Sequence, residues 1–202
     1  MALADDSDLI TLQPDQPFFE SVYTPFPLVI VGTREADGAA DLAPKHMAMP
    51  MGWDDYFGFV CTPRHATYGN AERTGEFTVS YPRPEKVLEA SLAAGPRTDE
   101  GSKPTLEGVD TVAADAVDAP AVADAYAVLE CELDRIVDGF GENALIVGDI
   151  VGKHVHADAY RAADAEPEPL FERAPVLTYF YPDRYASVDE SNAFPFPKGF
   201  ER

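Results

Sequence analysis

Positive charge is what this chain has least of. Fifteen Lys and Arg residues stand against 36 Asp and Glu, for a formal net charge of -21 at pH 7. Lysine is the scarcer of the two cations. Such a chain has no basic stripe to lay along a phosphodiester backbone, so nonspecific nucleic-acid binding is excluded. The acids are spread along the chain and do not gather in one tail. That is the pattern of a strongly hydrated surface that stays soluble in concentrated salt, where screening suppresses self-repulsion. We read it as adaptation to a salt-rich cytoplasm; an acidic protein of ordinary surroundings is the alternative. Cysteine is nearly missing. Cys61 and Cys131 have no CxxC spacing, which excludes a zinc ribbon and a disulfide framework. Each lies in an apolar run, as small buried hydrophobes do. No apolar run approaches the roughly 18 residues of a membrane span. The start, MALADDSDLITL, lacks the basic and apolar regions of a signal peptide. A cytoplasmic protein without membrane association is expected.

What is present suits one domain of 202 residues. Residues 1–17 are polar and read as an arm, 18–188 as the folded domain, and 189–202 as an aromatic tail carrying Phe194, Phe196 and Phe200. Phe18 to Tyr23 reads as a single helical turn. Leu28 to Thr33 is a β-branched run, hence a buried strand. Ala36-Asp37-Gly38 is a hairpin signal, and the returning strand is expected to end at Pro44, where a loop begins. Tyr56–Cys61 is an aromatic strand. Ala66 to Thr74 reads as a helix closed by Gly75, with Thr67 as its cap. Glu76–Tyr81 alternates as a strand. Glu85 to Ala94 reads as a helix with Val87, Leu88, Ser91 and Leu92 on its apolar face. Residues 95–120 look like a long irregular crossing. Leu129–Asp134 and Ala144–Val151, continuing to His156, form a hairpin, and Val176–Tyr181 is a last strand before the Pro182–Tyr185 turn. Residues 157–174 read as an acidic surface helix or loop. Six or seven short strands with two or three helices, and no βαβ alternation, describe a small β-barrel with appended helices.

Chemistry concentrates between Asp41 and Thr78. Arg64-His65-Ala66-Thr67 brings a guanidinium, an imidazole, a hydroxyl and the free N–H groups of a helix start into one place, which suits a terminal phosphate. A solvated turn is the plain alternative. Lys45 and His46, just after Pro44, can approach the same region. Met47-Ala48-Met49-Pro50-Met51 is either core filler or a wall for a flat aromatic ligand. Gly139-Phe140-Gly141-Glu142-Asn143-Ala144 matches a relaxed dinucleotide pattern, but a strand follows where a helix is needed, so it reads as a hairpin turn. His154 and His156 face one way on a strand without an evident third metal ligand. No GxSxG is present, and among so many carboxylates no catalytic pair stands out.

The order of these segments resembles the flavin reductase-like, FMN-binding split-barrel family. Asp41-Leu42-Ala43-Pro44 matches its N-L-A-P-type loop, Arg64-His65-Ala66-Thr67 its R-K-x-T-type segment, and Thr74-Gly75-Glu76-Phe77-Thr78-Val79-Ser80 its T-G-E-F strand. Leu129-Glu130-Cys131, Leu145–Val151 with His154, and Val176–Tyr185 match later strands. The resemblance covers about residues 20–188. It implies a mainly β fold, a Greek-key-like split β-barrel with appended helices, and a homodimer with FMN near the interface. By position, Arg64, His65 and Thr67 would hold the phosphate. Pro44, Lys45, His46 and Met47 would line the flavin ring, mainly by backbone, with Cys61 and Thr62 at the strand end. NAD(P)H would be the hydride donor, backbone N–H groups would stabilise the reduced ring, and no side-chain acid or base is required. The acceptor would be a small molecule or an oxygenase partner. A flavin carrier or redox sensor is the alternative. The chain departs from the family pattern at Lys45 to Met51, at His65, where Lys or Arg is common, and at Trp53-Asp54-Asp55, where the family has a double Pro.

Overall fold

The structure, a computed structural model, describes residues 8–161 and 170–199. It contains twelve strands and four α-helices among the described residues. The strands are β1 (Pro25–Pro27), β2 (Val29–Arg34), β3 (Ala40–Lys45), β4 (Ala48–Pro50), β5 (Tyr56–Cys61), β6 (Glu76–Tyr81), β7 (Thr111–Ala113), β8 (Pro120–Val122), β9 (Ala127–Phe140), β10 (Asn143–Val155), β11 (Val176–Phe180) and β12 (Arg184–Val188). The helices are α1 (Phe18–Ser21), α2 (Ala66–Thr74), α3 (Val87–Ala93) and α4 (Leu170–Arg173).

Seven strands form one sheet in the order β3-β2-β6-β9-β10-β5-β4. The sheet curls so far that its edge strand β3 comes back beside β5, where the Lys45 ammonium meets the Cys61 thiol at 3.4 Å. The barrel is therefore split, and that contact spans the gap. Its inside is filled by Val29, Val31, Phe57, Phe59, Phe77, Val79, Cys131 and Ile146. Phe59 and Phe77 meet edge to face at 5.3 Å between centroids.

A second core lies outside the sheet. Leu28, Ile30, Leu42, Ala90, Ala93, Val109, Val122 and Leu177 pack there. This is why residues 28–33 are apolar without alternation: Val29 and Val31 face the barrel, while Leu28 and Ile30 face α3 and the crossing segment. The α3 face differs from the expected one. Ala90 and Ala93 are buried and Val87 and Leu92 pack beside them, while Leu88 is 73% exposed and Ser91 points outward. A 3-10 turn at Pro84–Lys86 precedes the helix and shifts its phase.

Residues 95–120 are more ordered than expected. They carry a 3-10 turn (Pro104–Gly108), β7 and the buried β8. The segment is held by polar side chains on the outer face of the sheet. The Thr78 hydroxyl donates to Pro120 O, Val122 N–H donates to Ser80 Oγ at 3.0 Å, and Glu130 accepts from the N–H groups of Asp115, Ala116 and Val117. Pro182–Tyr185 does not leave the sheet. It turns back into β12, completing the three-stranded sheet β1-β11-β12. The hairpin of β9 and β10 is also longer than expected, closing at Gly141-Glu142. Residues 162–169 and Phe200, parts of the surface segment and the tail, lie outside the described residues.

Candidate functional site

Two chain breaks build the site. The hairpin at Gly38, whose φ is +87°, sends β3 back along β2. This strand ends at Lys45, one residue beyond the expected Pro44. After β5 the chain turns at Thr62–His65 and enters α2, which ends at Gly75 with φ of +73°. The helix closes one end of the barrel through buried Thr67, Asn70 and Ala71. Thr67 is not the cap. His65 occupies that position in extended geometry without a side-chain bond, and the Thr67 hydroxyl donates to Asp41 Oδ2 at 3.2 Å.

Between the end of β3, the start of α2 and the chain after α3 lies a cleft of about 420 Å³, within the range of small-molecule sites. Asp41, Pro44, Lys45, Arg64, His65 and Thr67 line it, together with Arg97 and Lys103 from the crossing segment. It opens into a broader hollow that shares Arg64, Ala66, Arg97 and Lys103 and is rimmed by Glu35, Asp37, Glu100 and Glu107.

The charge of the cleft inverts that of the chain. Four cations, Lys45, Arg64, Arg97 and Lys103, converge there, including two of the five lysines in the sequence. Asp41, 2% exposed, is the one carboxylate in that lining. It is shared among Arg97 at 2.7 Å, Lys103 at 3.5 Å and Thr67. Lys103 also donates to Leu42 O at 2.7 Å, and burial pulls its pKa down against the pull of Asp41. Burial and then the charges of Lys45, Arg64 and Lys103 hold the pKa of His65 below the ordinary 6.5. Arg64 stands at the mouth, its side chain 70% exposed, in an ion pair with Glu142 at 3.2 Å; a pair that wet is worth little.

Of the nine residues expected at a site, Pro44, Lys45, Arg64, His65 and Thr67 line this cleft. The other four lie around it. Cys61 is buried behind Lys45. Thr62 donates its hydroxyl to Asn143 Oδ1 at 3.1 Å, beside a shallow hollow at the β9–β10 turn. Met47 is 43% exposed. His46 points into an aromatic cluster, 5.1 Å from Tyr179, 5.4 Å from Phe26 and 5.9 Å from Tyr181, nearly parallel to the last. Burial there, with Lys45 nearby, lowers its pKa. Asp41, Arg97 and Lys103 were not reachable by motif. Their one signal is that Arg97 and Lys103 are cations in a stretch without other chemistry.

His154 on β10 and His156 just past its end have separate partners. His154 Nε2 bonds Glu130, and His156 Nδ1 bonds Asp158. Asp115, Glu130 and His154 bring ligand-type atoms within 4.8 Å of one another, but both Glu130 oxygens already accept N–H donors. Cys131 is buried, and burial pushes its thiol up to about 12, so it is an inert core residue.

A curled, split sheet with a cationic cleft beside a helix start is the arrangement that comparison with known proteins places in a family. The family model described as "Flavin reductase like domain" matches residues 21–189, and the chain belongs to that family. Among solved structures, the flavoredoxin of Desulfovibrio vulgaris (Miyazaki F) superposes with a TM-score of 0.75 at 21% identity, covering 95% of this chain and 100% of the other. Nitrilotriacetate monooxygenase component B from Bacillus cereus gives 0.77 at 19% identity, covering 92% and 98%. An FMN-binding protein from Thermus thermophilus, solved with 1-cyclohex-2-enone, gives 0.73 at 20% identity, covering 93% and 98%. At these identities the likeness is one of fold. Among the described residues, no helix is long and apolar enough to cross a membrane.

Proposed function

We propose that this protein is an FMN-binding oxidoreductase of flavin reductase type that uses NAD(P)H as hydride donor. One observation carries the reading. In a chain of net charge -21, four cations converge on one cleft, and one of them, Lys45, is buried without a carboxylate partner among the described residues. A cleft with that donor set fits a phosphate-bearing ligand. The Thermus relative is itself named an FMN-binding protein.

Arg64, His65 and Thr67, with the N–H groups at the start of α2, are the residues that would hold the phosphate. Pro44, Lys45, His46 and Met47 would line the ring by their backbone, which leaves the Lys45 side chain free for the phosphate, with Cys61 and Thr62 behind them. His46 packs among aromatic rings where that wall turns, and burial there lowers its pKa. Bound FMN would supply the redox chemistry itself. Hydride transfer to a bound flavin would need no side-chain general acid or base.

The partner is a second copy of the chain. β4 is an edge strand, and Met47, Met49 and Trp53 are exposed on and beside it, Trp53 fully. Such a patch suits an interface, with FMN near it. The electron acceptor is a small molecule or an oxygenase component, as the Bacillus cereus relative is named for a monooxygenase system. The acidic composition fits work in a salt-rich cytoplasm.

The test is purification in high salt followed by absorption spectroscopy and nucleotide oxidation. A yellow protein that oxidises NADH or NADPH only with FMN is expected. FMN bound, with neither nucleotide oxidised, would refute the reductase and leave a flavin carrier or redox sensor. That second reading draws on the unusual segment Lys45 to Met51.

A further inference from the structure

We infer that Lys45 is the charge-selecting anchor of the proposed flavin site, favouring a phosphorylated flavin over the same ring without phosphate, and holding it in concentrated salt. The inference rests on the flavin reading of this cleft and assigns a role to a residue outside the phosphate motif.

Lys45 is the last residue of β3, paired with Val29, so its backbone is fixed by the sheet. It is 9% exposed. Among the described residues, its ammonium donates to the Cys61 thiol at 3.4 Å, a weak acceptor. The nearest source of compensation in the cleft, Asp41, is already committed to Arg97, Lys103 and Thr67. An ammonium withdrawn from water without a counter-charge is costly to the fold. A sheet position that keeps one at the wall of a cleft is arranged for an anion that arrives from outside.

Arg64 provides the contrast. It is 70% exposed and shares its guanidinium with Glu142. At about 1 M salt the Debye length shrinks to roughly 3 Å, and exposed pairs lose most of their attraction while buried ones keep it. The acidic surface also repels a dianion at low salt. A buried cation answers both problems, because its field is least screened where the ligand docks. Lys45 is also the first of the cations that, after burial, lower the pKa of His65.

The experiment titrates FMN and riboflavin into the flavin-free protein from about 0.2 to about 2 M KCl, for the natural chain, Lys45→Met and Arg64→Ala, and records thermal melting of each. FMN affinity of the natural chain should change less than about threefold over that range. Lys45→Met should lose about thirtyfold or more at every salt concentration, with riboflavin within about twofold. Its flavin-free form should melt higher, because the uncompensated charge is gone, and inorganic phosphate should raise the melting temperature of the natural chain but not of Lys45→Met. Arg64→Ala should lose about fivefold in dilute salt and regain parity in concentrated salt. Unchanged FMN affinity in Lys45→Met would overturn the inference. So would an equal loss of FMN and riboflavin, which would place Lys45 at the ring. Should Lys45→Met not fold, Lys45→Gln is read by the same criteria. Absence of flavin binding by the natural chain, with phosphate still raising its melting temperature, would sink the flavin reading and not the anion site.

Discussion

The Arg97 guanidinium donates to Asp41 Oδ1 at 2.7 Å and so ties the crossing segment to the returning strand of the first hairpin. Asp41 opposes any anion in the cleft even as it holds the cleft together. Asp41→Asn should therefore act in two directions. The flavin-free protein should lose about 2–4 kcal/mol, because Arg97 and Lys103 lose a buried counter-charge. FMN or phosphate should bind more tightly, because a negative charge beside the ligand is removed. Urea denaturation and ligand titration on the same sample check both signs. Loss of both stability and affinity would show that Asp41 acts by position alone.

Glu130 and His154 join the far side of the sheet to the loop before β8. Burial pushes the Glu130 carboxyl up, but the N–H donors of Ala116 and Asp115, with His154, more than offset it and hold its pKa below 4.5. A carboxylate depressed in the fold contributes stability above its unfolded pKa and loses it as pH falls through the folded one. The contribution of Glu130 should therefore persist through mild acid and be lost below about pH 4.5. Glu130→Gln should cost about 1–3 kcal/mol at pH 7, since a Gln amide cannot accept this set of N–H bonds. It should also flatten the acid limb of a denaturation series.

His46 and His65 act in the same direction, but at higher pH. Both pKa values lie below 6.5 because burial, and then neighbouring cations, disfavour the imidazolium. The unfolded chain takes up protons near pH 6.5 before the folded one does, so stability is full above that pH and falls as pH drops below it. Melting temperatures should decline from about pH 7.5 to pH 5.5. His46→Phe, which keeps a ring among Phe26, Tyr179 and Tyr181, should remove part of that decline. An unchanged pH profile in His46→Phe would assign the dependence to His65 alone.

Much of this architecture was legible in the residues themselves. Gly75 closing a helix before an alternating Glu76–Tyr81 strand, and a hairpin at Gly38, follow from local chemistry and stand where expected. The segment 95–120 did not follow. Alternation places Thr78, Ser80 and Glu130 on a polar face, and a polar face reads as solvated. Here it is covered by backbone that those side chains bind. The same blindness hid half the cleft. Arg64-His65-Ala66-Thr67 is contiguous and visible, whereas Arg97 and Lys103 reach Asp41 only through the fold. Nor could spacing show that Lys45 would be buried, since β3 was expected to stop one residue short of it.

That concealed packing leaves no room at Gly32. A Cβ there would stand 1.9 Å from Pro120 O and 2.5 Å from Thr78 Oγ1. Thr78 and Pro120 are themselves hydrogen-bonded, so neither can retreat without breaking the bond that seats β8. Gly32→Ala should cost about 3 kcal/mol or more, the upper range for overpacking against backbone. The damage should be directional. Val29 and Val31 face the barrel and can stay, while the crossing segment must lift from the outer face. Proteolysis should then accelerate within residues 95–120 before global unfolding. Because Arg97 and Lys103 ride on that segment, ligand affinity should fall as well, while Lys45, held by β3 against β2, keeps its place. Uniform destabilisation without early cleavage in 95–120 would show that the segment is seated by more than the Gly32 contact.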